Sequence, residues 1–416
     1  MRTFTGRTRM RRLLGLGLLV TLVSALAATG ATAGTKASLK TINVGNITAV
    51  TNLGGTFTGF QAGVKAFFQY YNDNGGLSGY KVNLTSLDDA GDPGKNAAAA
   101  RQLVEQNKVV AIVGQATIAD AASQKYLQGK GIPVVGGWAA SSSYHKPATN
   151  MFVSLEGPNI PYCPLWSANQ AKNRGIKSVA FIAQDFPAAV QDAQCRQAAT
   201  KYQGVGSAGD ILKASLTAVD YRPVVQDAID SKADALYCSC GTDGQIKMIA
   251  AGEQLGFKGL YIATQFGASL FSGLTSAGLK DKVSGRVISS AFSLLPDDPS
   301  GYSPELAKAK AGLAKYQKAY AGDVTAISGW AAGKLFADAL KAVGPDGKKM
   351  IGWISKQTRY TFGGLQGPFD YSTGSKPNQC LTSLQWKGGK VVRDVKAAAA
   401  PGFDCGDLIS YDGSKV

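Results

Sequence analysis

After Lys40 the chain alternates strand-like and helix-like segments, and this alternation limits the possible folds more than any other feature. A first strand is predicted over residues 42–47. Phe60, Val64 and Phe67 then recur at spacings of three and four, which indicates one face of a helix. Further strands are predicted at residues 81–87, 109–113, 132–135, 178–183, 209–212, 235–238 and 259–263, with helices between them. Strands separated by helices of this length form parallel sheets with right-handed crossovers, so we predict an α/β protein with doubly wound parallel sheets.

Three segments interrupt this alternation. Residues 156–161 contain two prolines and a glycine, and residues 291–299 contain two prolines. Such residues are typical of linkers. Two long helices are predicted near residues 304–320 and 328–343, and residues 361–374 then lead into a β-rich tail. The sequence therefore predicts two α/β units connected by several linkers.

The first 33 residues differ from the rest of the chain. Five arginines precede an apolar run at residues 13–23, and the triplet ATA at residues 31–33 fits a signal-peptidase cleavage site. The run is shorter than the roughly 20 residues that span a bilayer, which favours an export signal over a membrane anchor. The arginine pair at residues 11–12 leaves twin-arginine export open beside the general route. We expect an exported protein, either in a periplasm or at the cell surface.

The cysteines all lie in the part of the chain that would be exported: Cys163, Cys195, Cys238, Cys240, Cys380 and Cys405. An even number of cysteines in an exported chain indicates disulfide bonds. We favour a Cys380–Cys405 bond near the C-terminus and a Cys163–Cys195 bond between two helices. Cys238 and Cys240 would point to opposite faces if the strand continued through both, so their pairing stays open. Zinc is the poorer alternative, because the chain has one histidine and no CxxC pair.

The stretch DDAGDPGKN at residues 88–96 has the outline of a phosphate-binding loop. A P-loop needs G-x-x-x-x-G-K-[ST], whereas here Asn96 follows the Gly-Lys pair and Asp89 stands where the leading glycine belongs. Asp92 is instead a favoured helix N-cap, and Pro93 suits the first helical position. The stretch is therefore interpreted as a corner between a strand and a helix.

Catalytic patterns are also missing from the sequence. There is no G-x-S-x-G motif, and the single histidine, His145, leaves little for general acid–base chemistry. The serines at residues 141–143 share one predicted loop with His145, where neighbours seldom face each other as nucleophile and base. The net charge of +16 is scattered without a basic stripe, so nucleic acid is not an expected partner. We expect a binding protein without enzymatic activity, cofactor or bound metal.

Ligands of open parallel sheets bind beyond the carboxyl ends of the strands. In this chain those ends fall at residues 49–55, 114–118, 136–143, 184–187, 239–243 and 264–267. These loops are rich in Gly, Ser, Thr, Asn and Gln, which offer donors to a small polar ligand. Trp138, Phe186 and Phe266 supply aromatic walls.

Several motifs, taken in order, resemble one known family. They are the turn NDNGGLSGY at residues 72–80, the corner DDAGDP at residues 88–93, the segment GIPVVGGWAASSS at residues 131–143, the helix SGWAAGKLFADALKAVG at residues 328–344 and the segment GGLQGPFDYSTG at residues 363–374. The chain resembles the type I periplasmic substrate-binding proteins of ABC importers, in the branched-chain amino-acid (Leu/Ile/Val) branch. The resemblance extends over nearly the whole chain after the export signal.

This resemblance implies two doubly wound lobes joined by three crossings, with a ligand held between the lobes. Lobe one would comprise residues 40–155 and 291–364, and lobe two would comprise residues 156–290 and 365–416. Family members close about a hinge when both lobes contact the ligand. They then present it to a membrane permease.

The resemblance also assigns roles to single residues. Family members hold a ligand carboxylate with the loops after the third and fourth strands, where Thr117, Ser141 and Ser142 supply hydroxyl groups here. Amino-acid binders present an acidic side chain from lobe two to the ligand ammonium, and the matching position is Gln265. A glutamine cannot neutralise a buried ammonium. Either Asp185 or Asp243 replaces that acid, or the ligand is an organic acid, an aromatic acid or an amide.

The sequence and the resemblance together predict an exported, monomeric solute-binding protein that delivers a small polar molecule to an ABC permease complex. The alternative is a ligand-sensing receptor component with the same fold. The predicted ligand-binding residues are Asn52, Gln115, Ala116, Thr117, Trp138, Ala139, Ser141, Ser142, Phe186, Asp243, Gln265 and Phe266.

Overall fold

A computed structural model describes residues 38–51, 57–157, 162–264, 268–295, 303–372, 374–375, 378, 380–393, 403–406 and 408–410. The strands are β1 Lys40–Thr48, β2 Tyr80–Asp88, β3 Ile112–Val113, β4 Val134–Ala139, β5 Met151–Glu156, β6 Cys163–Pro164, β7 Ser178–Gln184, β8 Gly206–Ser207, β9 Leu212–Ala214, β10 Ala235–Ser239, β11 Leu260–Ala263, β12 Val287–Ala291, β13 Cys380–Lys387, β14 Lys390–Arg393, β15 Asp404–Cys405 and β16 Leu408–Ile409. The helices are α1 Thr58–Asp73, α2 Pro93–Glu105, α3 Ala121–Lys130, α4 Trp166–Asn173, α5 Pro187–Tyr202, α6 Arg222–Asp230, α7 Thr242–Gln254, α8 Ala268–Ser276, α9 Pro304–Tyr316, α10 Val324–Val343 and α11 Gly347–Ile354.

Two main sheets organise the described residues. The first sheet has the order β2-β1-β3-β4-β5, and all its strands are parallel. The second sheet has the order β14-β13-β12-β11-β10-β7-β8, with β9 also paired to β7 and β15 to β13. Its strands from β7 to β12 are parallel, whereas β13 joins β12 in the antiparallel direction. The predicted α/β class with parallel sheets is confirmed, and β13 to β15 form the predicted β-rich tail.

The two faces of the second sheet are covered separately, as a doubly wound sheet requires. Val179 and Phe181 of β7 pack in one apolar cluster, whereas the alternate residues Ala180 and Ile182 pack in another. Successive side chains of a strand point to opposite faces, so both faces of β7 are buried. The run SVAFIAQ is accordingly almost continuously apolar.

The first sheet packs against a pair of closely approaching helices, α1 and α10. A Cβ atom at Gly63 of α1 would overlap the Ala326 carbonyl, and a Cβ at Gly329 of α10 would overlap the Phe60 carbonyl. These glycines let the two helix backbones meet. Trp330 lies fully buried at this junction, where its ring packs edge-on against Phe67.

Local sequence signals explain the corner at residues 88–96. The Asp92 side chain accepts a hydrogen bond from Lys95 N at 2.7 Å, and Pro93 begins α2. Asp89 is fully buried, and its two carboxylate oxygens accept from Gly91 N and from the Asn96 side chain. The predicted structural corner is confirmed.

Several elements were missed or displaced in the sequence predictions. The strand β5, the pair α8 and β12, and the helix α11 were not predicted. The predicted strand at residues 109–113 is reduced to Ile112–Val113, and the one at residues 209–212 starts only at Leu212. No helix in the described residues combines the length and apolar character needed to cross a membrane. The predicted export signal lies outside the described residues.

Three disulfide bonds join the six cysteines. The Cys163–Cys195 and Cys380–Cys405 bonds are confirmed, but the first joins β6 to α5 and does not join two helices as predicted. The third bond joins Cys238 to Cys240. The expected obstacle to this bond was wrong because β10 ends at Ser239, so the strand does not continue through Cys240.

The chain passes between the two sheets three times in the order of its elements: after β5, after β12 and before β13. A buried polar network joins these connections. Gln366 Nε2 donates to the Ser154 carbonyl at 2.8 Å and to Ser293 Oγ at 2.7 Å, and Ser293 Oγ lies 2.8 Å from Ser328 Oγ. Leu294 N also donates to the Leu365 carbonyl, so the second and third connections run side by side.

Candidate functional site

Each main sheet has a point where its strand order reverses. In the first sheet β1 lies between β2 and β3, and in the second sheet β7 lies between β10 and the short strands β8 and β9. At such a switch point the connections leave the sheet in opposite directions, which opens a crevice beyond the carboxyl ends of the strands. The carboxyl ends of β1 and β3 are tied directly, because Ala49 N donates to the Ala116 carbonyl at 2.9 Å.

The loop after β3 contains three of the predicted ligand-binding residues, and all three are buried: Gln115, Ala116 and Thr117. Gln115 Nε2 donates to Ser123 Oγ of α3 at 3.2 Å. Thr117 Oγ1 accepts from Ala119 N at 3.1 Å. The side chains of Gln115 and Thr117 therefore stabilise the conformation of the loop. Their neighbour Ile118 is exposed, with 59% of its surface accessible.

The loop after β4 contains the predicted residues Trp138, Ala139, Ser141 and Ser142. Trp138 N donates to the Gln115 carbonyl at 2.8 Å, so this loop lies directly beside the loop after β3. Ser141 has an extended backbone, and its hydroxyl accepts from Ser143 N at 3.3 Å to start a 3-10 turn over Ser142–His145. Ser142 is exposed, whereas Ala139 is buried.

An aromatic pair stands at this edge of the first sheet. The rings of Phe57 and Trp138 are tilted by 40° with centroids 4.4 Å apart, and both side chains are half-buried. Phe57 N donates to the Ala49 carbonyl at 3.0 Å, which brings the start of α1 to the end of β1. The pair gives the switch point an apolar surface suited to a flat or branched apolar group.

Tyr144 closes the inner side of the loop after β4. Its side chain is fully buried, and burial together with the charge of Asp120 raises the pKa of its hydroxyl well above 10. A Cβ at Gly137 would overlap the Tyr144 hydroxyl, so only glycine allows this approach. The phenol is neutral at every physiological pH.

Asp120 is a residue of this site that the sequence predictions missed. It is fully buried, and its Oδ2 accepts from Ser141 N at 3.0 Å. Burial raises the pKa of this carboxyl to about 6, although its hydrogen bond with Ser141 acts to lower it. An aspartate directly before a helix usually caps that helix. The position of Asp120 in the sequence therefore did not indicate its contact with Ser141, 21 residues further along the chain.

At the second switch point, side chains close the ends of β7 and β10. Gln184 Oε1 accepts from Gly241 N at 2.9 Å. Ser239 Oγ donates to Asp192 Oδ2 at 2.9 Å, and the same oxygen accepts from Tyr237 at 2.6 Å. Phe186 is exposed at 36% and directly precedes α5 as its N-cap residue. This end therefore offers one free aromatic face beside polar groups that are already hydrogen-bonded.

Asp185 and Asp243 were proposed to pair with a ligand ammonium in place of Gln265, but both form ion pairs with lysines on the protein surface. Asp185 pairs with Lys213 at 3.0 Å, and its side chain is 55% exposed. Asp243 pairs with Lys247 at 2.7 Å, and its side chain is 78% exposed. Gln245 holds the end of β11 through two hydrogen bonds with Thr264. The predicted residues Asn52, Gln265 and Phe266 lie outside the described residues.

Within the described residues, no group of three His, Cys, Asp or Glu side chains is arranged to hold a metal ion.

Two parallel-rich sheets, each with a switch point, and three connections between them define a class of two-sheet α/β proteins. Residues 41–390 match the family model described as periplasmic binding protein, and the chain belongs to the periplasmic binding protein family. Its fold is that of the type I members, as the sequence resemblance implied. No curated protein sequence matches the chain.

Solved structures with the same fold share little sequence with the chain. A solute-binding protein of an ABC transporter from R. palustris in complex with 4-hydroxybenzoate is 20% identical, with a TM-score of 0.68 over 85% of this chain and 96% of that chain. The leucine-binding protein LivK from Thermotoga maritima is 18% identical, with a TM-score of 0.66 over 85% and 98%. LivJ, a branched-chain amino acid transporter substrate-binding protein from Streptococcus pneumoniae, in complex with isoleucine, is 16% identical, with a TM-score of 0.67 over 85% and 100%.

Proposed function

We propose that this protein is an exported solute-binding protein that captures a small molecule between two lobes and delivers it to an ABC importer. The observation that carries the proposal is the presence of a switch point on each sheet, at the ends of β1 and β3 and at the ends of β7 and β10. Loops at such points are where ligands of open α/β sheets bind. Membership of the periplasmic binding protein family supports the same function.

The two lobes follow the two sheets. Lobe one contains residues 40–155 and 291–371, and lobe two contains residues 156–290 and 372–416, so the third crossing lies beyond Tyr371 and not after residue 364. This move is supported by Phe369 and Tyr371, which pack in the core of the first sheet, where Tyr371 donates to the Val153 carbonyl at 2.6 Å. The network around Gln366 contacts Ser154, just before the first crossing, and Ser293, at the second crossing, and we assign the hinge to this region. Closure is favoured when a ligand gains contacts from both lobes at once.

The ligand carries an apolar, preferably aromatic, group and an acid or amide group. The aromatic group packs against Phe57 and Trp138, and Phe186 covers it from the other lobe. Backbone N–H groups and hydroxyls of the loops after β3 and β4 bind the acid or amide group, with Ser142 the exposed hydroxyl. The engagement of Asp185 by Lys213 and of Asp243 by Lys247 supports a ligand without a free ammonium, since a buried ammonium needs an available acid.

Thermal shift and titration calorimetry test this function. The purified chain is screened with 4-hydroxybenzoate, benzoate, leucine and isoleucine. A ligand that binds the native state raises the apparent stability by about 2.7 kcal/mol at a hundredfold excess over Kd. We expect the benzoates to stabilise the protein and the two amino acids to leave it unchanged. Failure of all four compounds to bind at millimolar concentration contradicts the proposed ligand class.

A further inference from the structure

The Asp120 side chain links the two loops that meet at the switch point of the first sheet, beside the backbone hydrogen bond from Trp138 N to the Gln115 carbonyl. It precedes α3, at the end of the loop after β3, yet its side chain makes no capping hydrogen bond with its own helix. The carboxylate reaches instead to Ser141 N, 3.0 Å away in the loop after β4. Asp120 is fully buried at this contact, and Ser141 is half-buried.

The setting of Asp120 explains why a carboxylate is used there. An apolar residue would fill the same space, but it would leave the N–H of half-buried Ser141 without this acceptor, and a poorly solvated donor without a partner is costly. A carboxylate oxygen is a strong acceptor for backbone N–H groups. Tyr144 and His145, which lie close enough to Asp120 for their pKa values to be affected by its charge, continue the same turn beyond Ser141.

We infer that Asp120 is a positioning residue for ligand binding, which fixes the loop after β4 against the loop after β3 so that their donors converge on one ligand group. This inference rests on the proposed function. Asp120 acts through Ser141 and does not itself contact the ligand. Trp138 is fixed by the same arrangement, because its N–H donates to Gln115 in the loop that Asp120 ends.

Asp89 is a matched control on the same sheet. It is also fully buried and also lies between a strand and a helix, and its carboxylate accepts from Gly91 N at 3.0 Å and from Asn96 Nδ2 at 2.8 Å. Its partners all belong to the corner between β2 and α2, outside the two loops of the switch point. Replacing it removes the same chemistry from the same fold without touching those loops.

The experiment compares Asp120→Ser with Asp89→Ser, by hydrogen exchange of the ligand-free protein and by titration with 4-hydroxybenzoate. A serine hydroxyl is a favoured cap for the start of α3, which the Asp120 side chain does not cap, but it is too short to reach Ser141 N, so the variant is designed to fold. We expect residues 139–145 to exchange about tenfold faster in Asp120→Ser, and the Kd for 4-hydroxybenzoate to rise about tenfold. Asp89→Ser changes neither quantity, although it lowers the melting temperature.

Asp120→Asn provides the conservative rescue. Its carbonyl oxygen accepts from Ser141 N as the carboxylate does, so exchange of residues 139–145 and the Kd return to within about threefold of the original values. Unchanged exchange in Asp120→Ser overturns the inference, and so does an equal effect of Asp89→Ser on residues 139–145. If 4-hydroxybenzoate does not bind the unaltered chain, the proposed ligand class fails while hydrogen exchange still decides the role of Asp120.

Discussion

His145 Nε2 lies 3.4 Å from Glu156 Oε2, and the two side chains are only 4% and 2% exposed. His145 Nδ1 also contacts the Ser375 carbonyl, and Glu156 Oε1 accepts from Asn378 N at 2.9 Å. The single histidine thus connects the turn after the β4 loop with the end of β5 and with the third connection between the sheets. A buried pair of this kind is sensitive to pH because one partner titrates near neutrality.

Stability is expected to fall as the pH rises from 4 to 8. Burial acts to lower the pKa of His145. The Glu156 carboxylate and the Ser375 carbonyl act to raise it and outweigh burial, so the pKa in the folded protein lies above its usual value. The protonated histidine stabilises the fold fully below its unfolded-state pKa of 6.5, and this stabilisation is lost as the pH rises past its higher pKa in the folded protein.

Asp120 adds a second step at lower pH. Burial raises its pKa from 3.8 to about 6, so the free energy of unfolding falls by about 3 kcal/mol as the pH rises between those two values. Melting temperatures across this range measure both steps.

The variant His145→Gln separates the two contributions. It lowers the melting temperature at pH 6, because the buried Glu156 loses its partner, and it removes most of the decline above pH 6.5. Since the chain contains one histidine, few other side chains titrate in that interval. An undiminished decline above pH 6.5 in this variant contradicts the assignment to His145.

Trp138→Ala is expected to weaken binding of 4-hydroxybenzoate about tenfold or more. The substitution removes the ring that packs with Phe57 and the apolar surface proposed for the ligand. Trp353→Ala is the matched control, since Trp353 is another half-buried tryptophan that packs against an aromatic ring, Tyr360. Calorimetry on both variants distinguishes a loss of ligand contact from a general loss of stability, and equal Kd values would rule out Trp138 as part of the ligand surface.

Leucine and isoleucine are expected not to bind. Their ammonium group would be buried in the complex, and the described acids beside the second switch point, Asp185 and Asp243, are already paired with lysines. Asp185→Asn and Asp243→Asn remove the two acids that lie closest in sequence to the ends of β7 and β10. These substitutions should leave 4-hydroxybenzoate binding within about threefold. Tight leucine binding that survives both substitutions contradicts a ligand without an ammonium.

Gln366→Ala is expected to lower the free energy of unfolding by about 1–3 kcal/mol. Its amide joins Ser154 of β5 to Ser293 after β12, and the substitution leaves buried polar partners unsatisfied. Gln357→Ala provides a control, since the side chain of Gln357 donates to a carbonyl one turn back in the chain, that of Trp353. Urea unfolding measures the two losses, and a larger loss at Gln357 would argue against a hinge network centred on Gln366.

Much of the fold follows from local patterns in the sequence. The alternation of strands and helices predicts an α/β fold, and Asp92 with Pro93 predicts the start of α2, because caps and periodic apolar faces depend on neighbouring residues. The strand β5 was missed, although its residues Met151, Phe152 and Val153 are fully buried. Its six residues give too short a pattern between two polar segments, and pairing with β4 is what makes it a strand.

The sequence by itself determined the fold class, the Cys163–Cys195 and Cys380–Cys405 bonds, and which loops lie at the carboxyl ends of the strands. Only the tertiary structure decided which side chains those loops expose. Gln115 and Thr117 were predicted from the sequence to bind the ligand. Both side chains are buried, and their hydrogen bonds stabilise the conformation of their own loop. Asp120 directly precedes α3 in the chain, yet its side chain accepts a hydrogen bond from Ser141 N in another loop. The physical reason is that local preferences depend on residues close in the chain, whereas burial and pairing depend on strands brought together from distant positions.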